Sequence, residues 1–182
     1  GPSTQNLLNA FAANNKMPEK IIFASTIAIY GEKIDRYYYD ELFSPQPSSP
    51  YAISKFMAEN YLLKKYKSCS WILRFAPVYF SDFMLNINRR TKILNYFYQV
   101  GNGSNKLSLC NINNIKSAVE GIINGKVPAG VYNIADTKPY SYKELLNWQD
   151  ASLILRSPKI MVKMLYYCGK LFRNIFLQEN TI

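Results

Sequence analysis

The chain has 182 residues, 48% of them hydrophobic and 19% charged, so it can bury one sizeable core and is neither disordered nor fibrous. Lys and Arg number 22 against 12 Asp and Glu, a formal charge of +10 that suits an anionic partner such as nucleic acid, a membrane surface or a phosphorylated metabolite without choosing among them. The absence of histidine excludes a Ser-His-Asp triad, a Cys-His pair and a His-ligated metal, while three scattered cysteines (Cys69, Cys110, Cys168) with no C-x-x-C fit a reducing cytoplasm better than a disulfide framework or a zinc site.

In chain order, residues 4–14 place Leu7, Leu8 and Phe11 at helical spacing, and Met17-Pro18 ends that helix. Lys20 to Thr26 is a short β-rich apolar run of the kind found in buried parallel strands. From Gly31 to Pro50 the chain is polar and aromatic, with Pro45, Pro47 and Pro50 near its end, so it reads as a surface loop. A helix over Pro50 to Tyr66, burying Ile53, Met57, Tyr61 and Leu62, feeds a second buried strand near Ser70 to Phe75. Helix, strand, helix, strand with parallel crossovers gives an open α/β sheet.

Beyond Pro77 the pattern is mixed. A strand is expected at Lys106 to Cys110, then a helix capped by Asn113 or Asn114 with Ile115, Val119, Ile122 and Ile123 on its apolar face. Gly130 to Asp136 reads as a further strand, and Ser141-Tyr-Lys-Glu144 as a capping box opening a short helix through Trp148. No apolar run reaches the about 18 residues of a membrane span, and the N-terminus lacks the basic-then-apolar form of a signal peptide.

The chain carries three Tyr-x-x-x-Lys pairs, Tyr51/Lys55, Tyr61/Lys65 and Tyr166/Lys170. With 15 tyrosines in a lysine-rich chain, chance alone supplies about one, so the motif by itself says little. Context separates the first pair. It follows FASTIAIYG, a strand running into Ser25 and Thr26, and ligands of open α/β sheets sit at strand C-terminal ends. Lys55 is one helical turn after Tyr51 and shares its face. The other two pairs read as packing and solvated faces, and Cys110 as a small buried hydrophobe.

Six blocks in a fixed order now bear on the family: T-x-N-L-L-x-A from Thr4, F-A-S-T-x-x-x-Y-G from Phe23, S-P-Y-A-x-S-K-x-x-A-E from Ser49, L-R-F-A-P-V-Y from Leu73, G-N-G-S from Gly101 and G-V-Y-N-I-A-D from Gly130. In these the chain resembles the extended short-chain dehydrogenase/reductases, the NAD-dependent nucleotide-sugar epimerases and dehydratases. The resemblance implies the C-terminal part of a Rossmann-like, doubly wound parallel sheet plus a smaller mixed α/β substrate domain. Residues 1–80 would be the later part of the NAD(P)-binding domain, lacking its first four strands. Residues 81–182 would be the substrate-binding subdomain with a basic amphipathic C-terminal helix.

It also implies roles. Tyr51 would be the catalytic acid/base, Lys55 its partner and ribose ligand, and Thr26 the hydroxyl that holds the reacting oxygen of the sugar. Ser25 and Pro77 would lie beside NAD (or NADP), and Asn86 and Lys106 beside a nucleotide sugar, with no metal involved. A free phenol titrates near about 10, and a lysine ammonium beside it favours the phenolate. The implied reaction is 4-epimerisation, by hydride removal and return, in surface polysaccharide or glycan precursor synthesis; the alternatives are keto-sugar reduction and a catalytically inactive binding module. The family's dehydratases follow the threonine with an acidic pair; Ile27 and Ala28 stand here, so dehydration is not expected. A cytoplasmic homodimer is implied as well.

Three departures accompany the resemblance. Nothing matches the family's Gly-rich phosphate loop, G-x-x-G-x-x-G, so the chain is expected to be a piece of a longer protein, inactive alone, with Gly1-Pro2 a cloning remnant. Ala76 stands before Pro77 where many epimerases have asparagine. Leu107 stands where an arginine commonly meets the nucleotide diphosphate, and neighbouring Lys106 offers only a point charge.

The stretch from Ser157 to Phe176 places Ile160, Met161, Met164, Leu165, Cys168, Leu171, Phe172 and Ile175 on an apolar stripe flanked by lysines and Arg173. It reads as a helix packed on the substrate domain or a second subunit, with peripheral contact to anionic lipid as the alternative. Nucleic acid is not expected as a partner: apart from Arg89-Arg90 and Lys64-Lys65 the basic residues are scattered, and no RNA or DNA module signature is present.

Overall fold

The computed structural model of the chain describes residues 2–31, 39–93, 96–151, 153–158 and 164. Its elements are α1 (Pro2–Ala13), β1 (Ile21–Thr26), a 3-10 turn (Ile27–Tyr30), α2 (Pro50–Lys65), β2 (Ser70–Phe75), β3 (Val78–Tyr79), α3 (Leu85–Thr91), β4 (Lys92–Ile93) and β5 (Tyr96–Val100). They continue with β6 (Lys106–Leu107), β7 (Cys110–Asn111), α4 (Ile112–Ile123), β8 (Gly130–Ile134), β9 (Tyr140–Ser141), α5 (Tyr142–Asn147) and β10 (Ile154–Ser157).

Two compact units emerge. The first joins Gly1–Phe80 to Ser108–Thr137, and the second joins Ser81–Leu107 to Lys138–Ile182. The division expected at residue 80 therefore meets an interleaved chain. Gly130–Ile134 returns to the first unit because β8 completes its sheet, pairing with β2 from Trp71↔Gly130 to Phe75↔Ile134.

In the first unit the sheet runs β1-β2-β8, all parallel, with Thr26 level with Phe75 and Phe75 level with Ile134. Side chains alternate along β2, so its two faces feed two clusters. Ile72 packs with Leu8 of α1 and Leu62 of α2 on one side, while Trp71 and Leu73 pack with Ile122 of α4 on the other. Helices on both faces of a parallel sheet are the doubly wound arrangement. Cutting a buried leucine or isoleucine of these clusters to alanine costs about 2–5 kcal/mol.

In the second unit β5 lies between β10, to which it is parallel, and β4, to which it is antiparallel, and β6 pairs with β9. The helices α3 and α5 pack on each other, taking Ile87, Leu145 and Leu146 out of water. The expected capping box is present: Ser141 Oγ accepts from Glu144 N–H at 3.2 Å, and the Glu144 carboxylate accepts from Ser141 N–H at 2.7 Å.

Several sequence expectations need correction. Ile53 and Met57 of α2 are 42% and 55% exposed; Leu62 is buried as expected, and it shares the buried face with Ala52, Ala58 and Glu59, where small side chains allow close approach and the glutamate is paired. The strand expected over Lys106 to Cys110 is two strands in different units, because Lys106–Leu107 pairs with β9 and Cys110–Asn111 with β3. The cap of α4 is Asn111, not Asn113 or Asn114, its side chain accepting from Asn113 N–H at 3.0 Å. Ile123, placed on the apolar face of α4, is exposed in its last turn. Apart from Ser157, Pro158 and Met164, the amphipathic stretch from Ser157 to Phe176 lies outside the described residues, as does the Tyr166/Lys170 pair.

Candidate active site

At the C-terminal end of β1 the chain turns at once. Thr26 caps the 3-10 turn, its Oγ1 accepting from Ala28 N–H at 3.2 Å, which leaves the hydroxyl proton to offer elsewhere. Gly31 has φ +95°, and a Cβ there would meet the Gln46 carbonyl oxygen at 2.6 Å, so glycine is required where the returning loop closes on the turn. That closure is made by Gln46 N–H donating to Ile29 O at 2.8 Å.

The start of α2 is fixed by two adjacent residues. Ser49 caps it, accepting from Ala52 N–H at 3.2 Å, and Pro50 occupies the first helical turn with its φ already set. Tyr51 thus falls in the first turn and is 58% exposed. Lys55, one turn on, donates to Ala24 O at 2.8 Å, with its ammonium 5.1 Å from the Phe23 ring centroid and 5.8 Å from that of Tyr51. The helix start is thereby pinned over the C-terminal half of β1. An exposed phenol and an ammonium thus lie over β1, whose last residue, Thr26, still has a hydroxyl proton to offer.

The other residues expected at the site are distributed differently. Ser25 is buried and its hydroxyl donates to the Glu59 carboxylate, so its side chain is already committed. Pro77, just past the end of β2, accepts from Cys110 N–H at 3.0 Å. Its neighbour Ala76 is buried, donating to Ile134 O at 3.0 Å. Asn86 and Lys106 belong to the second unit: Asn86 lies on α3, its carbonyl accepting from Arg90 Nη1 at 2.5 Å, and Lys106 is exposed at the start of β6 opposite Ser141.

Residue-by-residue reading of the sequence missed a buried polar network beside the site. Arg74 of β2 grips Glu59 of α2 through Nη2 at 2.7 Å and Nε at 3.2 and 3.3 Å, and donates through Nη1 to the Tyr30 hydroxyl at 2.9 Å. Tyr30 donates to Asn133 Oδ1 of β8 at 2.8 Å. Burial works against the Arg74 charge, but the hydrogen bonds and attraction of Glu59, aided by Tyr30, outweigh it and raise the guanidinium above its ordinary value. The signal was present as an arginine inside the apolar run SWILRF and a glutamate four residues after Lys55.

A second cluster centres on Asp136, which accepts from Tyr79 Oη at 2.9 Å, Asn111 N–H at 2.8 Å and Asn114 Nδ2 at 2.7 Å. Burial, and then the Asp136 charge, push the Cys110 thiol up to about 11. Among the described residues no group of three or more His, Cys, Asp and Glu side chains could hold a metal ion, and no helix is long and apolar enough to cross a membrane.

Residues 2–135 match the family model described as the NAD dependent epimerase/dehydratase family. No curated protein sequence matches the chain. Among solved structures, UDP-N-acetylglucosamine 4-epimerase from Methanobrevibacter ruminantium is 23% identical, with TM-score 0.66 over 85% of this chain and 54% of that one. UDP-glucose 4-epimerase from Thermus thermophilus, solved with NAD, is also 23% identical, with TM-score 0.63 over 85% and 56%. dTDP-glucose 4,6-dehydratase from Bacillus anthracis, also with NAD, is 19% identical, with TM-score 0.63 over 85% and 54%. The chain thus spans little more than half the length of these proteins, and at such identities the likeness establishes the fold. With the family model matched over most of its length, the chain belongs to the NAD dependent epimerase/dehydratase family.

Proposed function

We propose that the protein carrying this chain is an NAD-dependent nucleotide-sugar 4-epimerase, with Tyr51 as its acid/base, Lys55 as the partner of that phenol and Thr26 as the hydroxyl that holds the reacting sugar oxygen. The observation that carries this reading is the Lys55 contact. The ammonium sits on Ala24 O, two residues before Thr26 at the end of β1, and beside the Tyr51 ring, which supports a common site for the three. In this reading Tyr51 takes the proton of the sugar hydroxyl, Lys55 holds its ammonium beside that ring, and Thr26 donates to the same oxygen.

The residues present fit the nicotinamide-ribose end of the cofactor: an exposed phenol and an ammonium lie at the C-terminal edge of a parallel sheet, where ligands of such sheets sit. None of the glycines forms a G-x-x-G-x-x-G loop for the pyrophosphate. NAD, when bound, supplies a reversible hydride acceptor. Lys106 and Asn86 of the second unit are the proposed contacts of the nucleotide sugar, with Lys106 acting as a point charge beside Leu107.

Ile27 and Ala28 open the 3-10 turn where the family's dehydratases carry an acidic pair, which favours epimerisation over dehydration. A homodimer is part of the proposal: Leu7 and Phe11 of α1 and Ile53 and Met57 of α2 are exposed, on helices that share one core cluster. Unpaired thiols at Cys69 and Cys110 suit a cytoplasmic enzyme making precursors of surface glycans.

The test is to purify the full-length protein and identify the nucleotide released on denaturation. Tightly retained NAD is the expected result, since an epimerase keeps its hydride through the cycle. Freely exchangeable NADPH would replace the reading with keto-sugar reduction, and no binding of either nucleotide would leave a catalytically inactive module.

A further inference from the structure

Tyr51, Lys55 and Glu59 follow one another at intervals of four along α2 and so form one stripe. The first is largely in water, and the last is fully buried. Glu59 accepts from the Ser25 hydroxyl and from the two-nitrogen fork of Arg74, and Arg74 continues the chain of contacts to Tyr30 and Asn133. Asn133 in turn holds the returning loop, donating from its backbone N–H to Glu41 Oε1 at 2.7 Å and from Nδ2 to Tyr39 O at 3.1 Å. One polar chain therefore ties α2 to β1, β2 and β8.

Stability alone does not account for this. A well-packed apolar group in place of a buried ion pair is often as stable or more so, and the same helix already packs Leu62 against Ile72 and Leu8. Direction is what an apolar contact lacks. A planar guanidinium gripping a carboxylate in fork geometry, with a hydroxyl on the same carboxylate, fixes both the rotation of a helix and its position along a strand. The hydroxyl belongs to Ser25, the residue before Thr26.

We infer that Glu59 is a positioning residue which, through Ser25 and Arg74, sets the place of Tyr51 and Lys55 relative to Thr26. The inference rests on the catalytic reading of those three residues. Glu59 touches no reacting atom in this scheme; it acts through the helix that carries the acid/base.

The test uses the full-length protein and three variants. Glu59→Met/Arg74→Met removes both charges together, so that neither is left buried and alone. Ser25→Ala removes only the tie between Glu59 and β1, leaving the Lys55 contact with Ala24, and Ser25→Thr retains a hydroxyl. The double variant is expected to fold and to keep KM for the nucleotide sugar within about 3-fold while kcat falls by about 100-fold, the scale of an ångström-sized misplacement. Ser25→Ala is expected to lose about 10-fold in kcat and Ser25→Thr to recover most of it. Hydrogen exchange of the amides of residues 52–57 should quicken in Ser25→Ala, with that of α4 unchanged.

Folded variants with kcat within about 3-fold of the parent and unchanged exchange at 52–57 would overturn the inference. So would a Ser25→Thr protein that folds yet is as slow as Ser25→Ala. Should the double variant not fold, the two Ser25 variants decide. If the parent protein shows no turnover, the epimerase reading is what fails, and the exchange measurement alone decides whether Ser25 and Glu59 place the first turn of α2.

Discussion

One helix carries two Tyr-x-x-x-Lys pairs, and their surroundings are opposite. At the start of α2 the Tyr51 phenol is open to water while Lys55 reaches β1 and lies beside the Tyr51 ring. At the end, Tyr61 donates to Asn9 Oδ1 of α1 at 2.9 Å and stacks edgewise on Tyr66, and burial followed by the contact with Tyr66 raises its phenol above the ordinary value. Lys65 lines a shallow basic depression of about 520 Å³ with Lys64, Lys67, Ser68 and Ala129. The spacing is the same, yet only the first pair stands at the C-terminal edge of a parallel sheet. What separates the two pairs is the strand end that one of them faces, not the spacing within it.

Between the two pairs lies the residue that holds the helix in place, which gives the largest expected effect. Arg74→Leu leaves Glu59 buried without its counter-charge, and should cost about 3–5 kcal/mol in urea unfolding. A loss below about 1 kcal/mol would mean that the pair is in practice solvated, and with it the distinction between the two ends of α2 would weaken.

The same rule, environment over residue type, extends to the cysteines. With its thiol held at about 11 by burial, Cys110 stays neutral in the folded protein where an unfolded thiol, near about 8.5, ionises. Its contribution to stability is therefore complete below that unfolded value and lost as pH rises through the folded one. At about pH 8, Cys69, which is only partly buried, should be alkylated before Cys110, which is protected until unfolding. Site-resolved mass spectrometry reads this directly, and equal rates would contradict the buried position of Cys110.

The smallest effect concerns Glu144, an exposed carboxylate in contrast to buried Glu59. Its value is lowered mainly by the Ser141 backbone N–H and then by the Ser141 hydroxyl. The cap therefore stabilises α5 above the ordinary carboxylate range, near about 4.3, and is lost as pH falls through the lower folded value. Amide exchange across residues 141–147 should quicken over that interval in the parent protein, and Glu144→Gln should flatten the dependence.

Much of the first unit was legible because its elements announce themselves locally. Apolar β-rich runs gave β1 and β2, and the proline-rich loop ending at Pro50 gave the start of α2; in the second unit Ser141 with Glu144 gave the cap of α5. What a single-element reading could not supply was which face of α2 meets the sheet. Hydrophobicity favoured Ile53 and Met57, whereas the sheet took two alanines, a leucine and a glutamate, because Arg74 on the strand β2 supplies that glutamate with its partner. The split at Lys106 to Cys110 was hidden for the same reason, since strand partners β9 and β3 are remote in sequence. Thr26, Tyr51 and Lys55 were singled out by their blocks as candidates, while the network threaded through those blocks by Tyr30, Glu59, Arg74 and Asn133 required the tertiary structure.

The most direct measurement compares kcat of the full-length protein with Tyr51→Phe and with Tyr61→Phe, substitutions that each remove one hydroxyl from the same helix. The account predicts a fall of about 10²- to 10⁴-fold for Tyr51→Phe and a change within about 3-fold for Tyr61→Phe. Comparable rates for the two variants, or a greater loss at Tyr61, would contradict it.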